Sequence, residues 1–144
     1  MEQRTRPIPT STSLARPATR RRELEYDGLS WIDIPQPVSA DITYLRERLR
    51  LDPLALDDVL STIQRPKLDV HTEQEYLFLV VHVPTLDRDQ HVISSEIDVF
   101  VGADFVVTCH DNSMKPLRRL FAAAGGDEQA RRQLMARCPG FLLY

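Results

Sequence analysis

Cysteine is scarce in this chain. Of 144 residues only Cys109 and Cys138 are cysteines, too few for a disulfide framework, so a reducing compartment is the expected setting. Long apolar runs are missing as well. The longest, Tyr76-Leu77-Phe78-Leu79-Val80-Val81, is closed by His82, whereas a bilayer-spanning helix needs about 20 apolar residues. The first 22 residues carry arginines but no apolar stretch, which excludes a secretory signal peptide. Glycine occupies five positions, and none follows a strand in a phosphate-binding loop: Gly102 stands alone and Gly125-Gly126 divides two helical segments. CxxC, HExxH and CxxH spacings are absent, as is a GxSxG elbow, which disfavours tetrahedral zinc and an elbow nucleophile. The expectation is a soluble, intracellular chain that is not an enzyme. With 42% hydrophobic residues it is long enough for one domain with a usable core.

The net charge of −3 conceals an asymmetry. Residues 1–22 hold six arginines against Glu2, or +5, and the rest of the chain carries −8. An acidic body repels phosphates over most of its surface, so no nucleic-acid partner is expected. Residues 1–22, interrupted by Pro7, Pro9 and Pro17, read as a disordered, solvated arm, and the domain is assigned to residues 23–144.

Within the body, Ser30-Trp31-Ile32-Asp33-Ile34 predicts a short strand ended by Pro35 and Pro37. Ser39 is positioned to cap a helix over 40–50, where Ile42, Leu45 and Leu49 recur at helical spacing. Asp52-Pro53 starts a second helix, an N-cap carboxylate followed by proline at the first helical position. It is expected to end near Arg65, before Pro66. Tyr76–Val83 reads as a strand buried on both faces. Residues 94–101 alternate, with Ile97, Val99 and Val101 on one face and Glu96, Asp98 and Phe100 on the other. Gly102-Ala103-Asp104 joins this strand to 105–109 as an antiparallel hairpin, and 84–93 is expected to be an exposed loop. Helices over 115–124 and 127–137 complete the pattern. Strands flanked by helices on both sides predict an α/β fold, an α/β/α sandwich with a mixed sheet. The apolar ending Phe141-Leu142-Leu143-Tyr144 reads as the start of a further helix, cut short.

The helix from Pro53 carries the most specific chemistry. At about 100° per residue, Leu56, Val59, Leu60 and Ile63 share one arc, while Asp57 and Asp58 straddle the opposite one. The two carboxylates therefore face water or a partner. Adjacent acids are most often a solvated helix face. The functional alternative is a site for a hard cation, because Mg²⁺ takes oxygen ligands and keeps part of its water shell. Cys109-His110-Asp111 is a weaker candidate for an enzymatic cluster, since neighbours on a strand point to opposite faces, and His82 reads as a satisfied polar residue.

Pro53-Leu54-Ala55-Leu56-Asp57-Asp58-Val59-Leu60, followed by Gln64-Arg65-Pro66-Lys67-Leu68-Asp69, resembles the CorA family of divalent-cation transporters, specifically their N-terminal cytoplasmic domain. The Trp31–Ile34, Tyr76–Val81 and Phe105–His110 strands and the final Phe141–Tyr144 stretch follow in the family's order. The resemblance runs from about Leu29 to Tyr144. Asp52 stands where the family usually has histidine, and Asp57 where it has glutamate.

The resemblance implies a homopentameric channel for Mg²⁺, in some members Co²⁺, Ni²⁺ or Zn²⁺, seated in the cell inner membrane with this domain in the cytoplasm. It implies that Asp57 and Asp58 lie at the interface between protomers and bind regulatory Mg²⁺ weakly, together with a neighbour's carboxylates. The stalk, both membrane helices and the Gly-Met-Asn pore motif do not occur in these 144 residues, so any membrane contact would be made through those helices. The alternative expectation is a stand-alone interaction module of the same fold, without transport, whose arginine arm docks on an acidic surface.

Overall fold

A computed structural model describes residues 18–61 and 64–143. Six strands form one sheet: β1 (Arg22–Tyr26), β2 (Leu29–Pro35), β3 (Lys67–His71), β4 (Tyr76–Leu86), β5 (Val92–Val101) and β6 (Phe105–His110). Their spatial order is β1-β2-β6-β5-β4-β3. Only the β2–β6 pair is parallel; the others are antiparallel. The sheet is mixed, as expected.

Helices α1 (Ser39–Leu49) and α2 (Pro53–Leu60) follow β2, and α3 (Lys115–Gly126) and α4 (Glu128–Met135) follow β6. A 3₁₀ turn over Pro139–Leu143 closes the described chain. The side-chain period of two in β2 and β6 divides the core. Ile32, Ile34, Val107 and Cys109 meet Leu45, Leu51, Leu56 and Val59 beneath α1 and α2. Trp31 and Val106 meet Phe121, Ala124 and Met135 beneath α3 and α4, with Trp31 edge-on to Phe121 at 4.8 Å between ring centroids. This is the three-layer α/β/α arrangement.

Local chemistry explains most of the boundaries. Asp52 accepts hydrogen bonds from the amides of Leu54 (2.9 Å) and Ala55 (3.3 Å), so the capped, proline-led start of α2 stands. Asp27 and Gly28 both take positive φ, which a two-residue hairpin of the right twist requires, and so join β1 to β2. The β5–β6 hairpin forms at Gly102, whose amide donates to the Phe105 carbonyl at 2.9 Å.

Several expectations need correction. α2 stops at Leu60, well before Pro66. Ser61 turns extended, and the Ser61 hydroxyl and the Gln64 side-chain amide both donate to the Asp58 carbonyl at 2.7 Å, satisfying the helix end with side chains. Leu60 is therefore 46% exposed instead of core, and Ile63 lies outside the described residues. Ser39 is the first helical residue of α1, not its cap; Asp41 accepts from the Val38 amide at 3.0 Å instead. β4 is not buried on both faces. Tyr76, Phe78 and Val80 are buried, but Leu77 and Val81 are more than a third exposed, because α3 and α4 cover the other face chiefly near β1, β2 and β6. The exposed loop is confined to residues 87–91, because 84–86 and 92–93 extend the two strands, paired as Pro84↔Ser94, Thr85↔Ile93 and Leu86↔Val92. β3 was hidden in the sequence because it is an edge strand whose apolar residues, Leu68 and Val70, face outward.

Residues 18–22, assigned to the arm from the sequence, lie among the described residues. Arg22 begins β1 and bonds to Asp33, Arg21 pairs with Asp41 at 3.2 Å, and Arg20 bonds to Gln36. Residues 1–17 lie outside the described residues.

Candidate cation sites

The doublet of α2 is split by its surroundings. Asp57 is exposed and, among the described residues, forms no hydrogen bond or ion pair through its side chain. Asp58, one position on, is turned back toward the sheet, and its Oδ2 lies 2.6 Å from the Lys67 ammonium. Lys67 also reaches Asp69 on β3 at 3.0 Å, so the ammonium bridges a helix and an edge strand. The hydrogen bond it donates to Asp58 is the main reason Lys67 holds its proton more tightly than a free lysine. Every side chain of this triad is about a third or more exposed, so the bridge orders the groups without a large gain in stability.

Beneath α2 lies a second group of ionisable side chains. Glu96 accepts the Gln64 amide at 2.7 Å and lies 3.2 Å from His82 Nε2, its cross-strand neighbour. Asp98, two residues along the same face, is buried, and its Oδ1 has no hydrogen-bond partner among the described residues. Burial first, then the charges of Glu96 and Asp58, push the Asp98 carboxyl up to about 7. The signal for this group was present in the alternation of β5: Phe100 is buried beneath α1 and α2, and strand geometry carries Asp98 and Glu96 to the same side.

The Cys109-His110-Asp111 run does not form a cluster. Cys109 faces the α1/α2 core, where burial above all pushes its thiol well up. His110 faces the other way, fully enclosed, and Asp111 is exposed. His110 belongs instead to a buried network. Asp33 Oδ1 accepts from Thr108 Oγ1 at 2.7 Å and meets His110 Nε2 at 3.2 Å, while Trp31 Nε1 donates to Thr108 at 3.3 Å. The Asn112 amide donates to His110 Nδ1 at 3.0 Å, which leaves Nε2 as the protonated nitrogen facing Asp33. Burial alone would raise the Asp33 carboxyl, but hydrogen bonds from His110, Arg22 and Thr108 outweigh it and hold it below its ordinary value. These groups satisfy one another and tie β1, β2 and β6 together.

Among the described residues, the three ligating side chains drawn closest together are Asp87, Asp89 and His91, in the exposed β4–β5 loop. There Asp87 Oδ1 already accepts the amides of Asp89 and His91, at 2.8 and 2.9 Å, and so shapes the loop itself.

The mixed sheet held between two pairs of helices defines the class by fold: a three-layer α/β/α domain with an outward carboxylate on α2. The family model of the CorA-like Mg2+ transporter protein matches residues 26–138, and the chain belongs to that family. It is 36% identical over 80 residues to YfjQ of Bacillus subtilis (strain 168), provisionally named a metal ion transporter, covering 56% of this chain and 24% of that one. The complete CorA magnesium transporter of Methanocaldococcus jannaschii superimposes with a TM-score of 0.61 at 19% identity, over 85% of this chain and 38% of that one. The ZntB cytoplasmic domain of Vibrio parahaemolyticus gives 0.55 at 9% identity, over 66% and 38%. At such identities the structural likeness concerns the fold. The chain spans about a quarter to two fifths of the length of these relatives. Among the described residues no helix is long and apolar enough to cross a membrane.

Proposed function

We propose that this chain is the cation-sensing, gate-controlling portion of a CorA-like divalent-cation transporter, that it works as part of a homopentamer, and that it has no catalytic role. The observation carrying this reading is Asp57: a carboxylate on a firmly capped helix, exposed and bonded to none of the described residues. In this reading Mg²⁺ sits between Asp57 and carboxylates of an adjacent subunit. With the ion present the facing acids are bridged; without it they repel, and the closed assembly loses support. Asp58 contributes through exchange: Lys67 occupies it when the ion is absent and shares it when the ion arrives.

The donor chemistry fits. Carboxylate oxygens suit Mg²⁺, which keeps several waters and needs few protein ligands. A lone protomer supplies only part of such a site, so its affinity is expected to be on the order of millimolar. Titrating Mg²⁺ into the full chain and following amide NMR shifts tests the assignment. Shifts clustered over residues 54–61 and at Lys67, and lost in Asp57→Asn, support it. Shifts confined to other parts of the chain remove it.

A further inference from the structure

The cleft under α2 has no part in that reading, and its chemistry points elsewhere. It encloses about 670 Å³ between the last turn of α2 and the face of β4 and β5, and it opens beside Gln36 and His110, at the carboxyl ends of the parallel strands β2 and β6. His82, Glu96 and Asp98 line it. Asp98 is 5% exposed, and Oδ1 finds no partner among the described residues. Among the described residues, no lysine or arginine lines the cleft. Lys67, whose charge reaches Asp98, is held by Asp58 and Asp69.

A buried carboxylate without a partner is costly, and on this face Phe78, Val80 and Phe100 pack as ordinary apolar residues. The missing element is a positive charge able to take several donors at once. We propose that the cleft is an inner cation site, in which His82, Glu96 and Asp98 hold a partly hydrated divalent ion of the Co²⁺ or Mn²⁺ type. Two carboxylates and one imidazole form a donor set of two oxygens and one nitrogen, which favours these ions over Mg²⁺. Glu96 and His82 already touch. Asp98 is diagonal to His82, and diagonal neighbours across a sheet lie about 7–8 Å apart. The ion therefore keeps waters on the Asp98 side, for which the cleft has room. This site stands apart from the outward Asp57 and does not depend on a second subunit.

The test is a calorimetric and visible-absorption titration of Co²⁺ into the 144-residue chain, with thermal unfolding as the folding control. The wild type is expected to bind one Co²⁺ saturably. Asp98→Asn weakens this by about tenfold or more, His82→Ala lowers the preference for Co²⁺ over Mg²⁺, and Glu128→Gln, on the exposed side of α4, leaves Co²⁺ affinity within about twofold. Should Asp98→Asn not fold, Glu96→Gln is expected to show the same loss. Three results would each overturn the proposal. One is unchanged Co²⁺ affinity in whichever of these two variants folds. Another is Co²⁺ broadening of NMR signals confined to residues 87–91 or to the exposed face of α2. The third is displacement of Co²⁺ by millimolar guanidinium, which would mark the cleft as a receptor for an organic cation.

Discussion

Lys67 places its ammonium 2.6 Å from Asp58 and so divides two adjacent aspartates into a bound one and a free one. Asp57 and Asp58 are equal in sequence and unequal in structure: the first faces outward unopposed, the second is counterbalanced from the edge strand. Lys67→Met should release Asp58 and strengthen Mg²⁺ binding at α2 a few-fold. Its effect on stability should stay within about 1 kcal/mol, since the pair is a third exposed. Urea unfolding and Mg²⁺ titration of the variant check both; unchanged Mg²⁺ affinity would show that Asp58 plays no part.

Asp98 makes stability depend on pH in a direction unlike that of most carboxylates. Its carboxyl titrates at about 7 when folded, against 3.8 for an ordinary aspartate. Between those values the folded chain holds a proton that the unfolded chain releases, so stability falls as pH rises through this window. In metal-free buffer, Asp98→Asn should change little near pH 4 and stabilise by up to about 4 kcal/mol at pH 8. Chemical denaturation at the two pH values measures the difference; equal effects at both would mean that Asp98 is well solvated.

The Asp33 network should behave in the opposite sense. Asp33 is fully buried, and its carboxyl is held low by His110, Arg22 and Thr108. The stability it supplies is present above the unfolded aspartate value and is lost as pH falls through the lower folded value. Asp33→Ala strands the Thr108 hydroxyl, His110 and Arg22 and should cost about 3–5 kcal/mol. Thr108→Val removes weaker neutral bonds and should cost about 1–2 kcal/mol. Thermal unfolding ranks them, and a Thr108→Val loss matching that of Asp33→Ala would contradict the order.

The two thiols should separate cleanly. Cys138 is exposed, whereas Cys109 is enclosed with its thiol pushed well up by burial. A thiol reagent at pH 8 should modify one cysteine in the folded chain and both in denaturant. Rapid native labelling of Cys109 would place it outside the core.

Much of the architecture was legible from local chemistry. The Asp52-Pro53 start of α2, the Gly102 hairpin and the helical spacing that turns Asp57 away from Leu56 act over a handful of residues. Each therefore reads the same in an isolated segment as in the folded chain. The end of α2 is not legible in the sequence, because Pro66 is the visible stop while the effective one is a cap built from Ser61 and Gln64. The exposed flank of β4 was misjudged because an apolar run does not say which helix reaches it.

Short-range rules thus determined, from sequence alone, that a block of strands is flanked by helices and that an acidic pair rides on a capped helix. Tertiary structure alone decided that Lys67 meets Asp58, that Asp33 meets His110 from 77 residues away, and that Asp98 is buried beside Glu96 and His82. The physical reason is register. Which side chains oppose one another across a sheet depends on how distant strands align and which helices cover them, and no single segment contains that information.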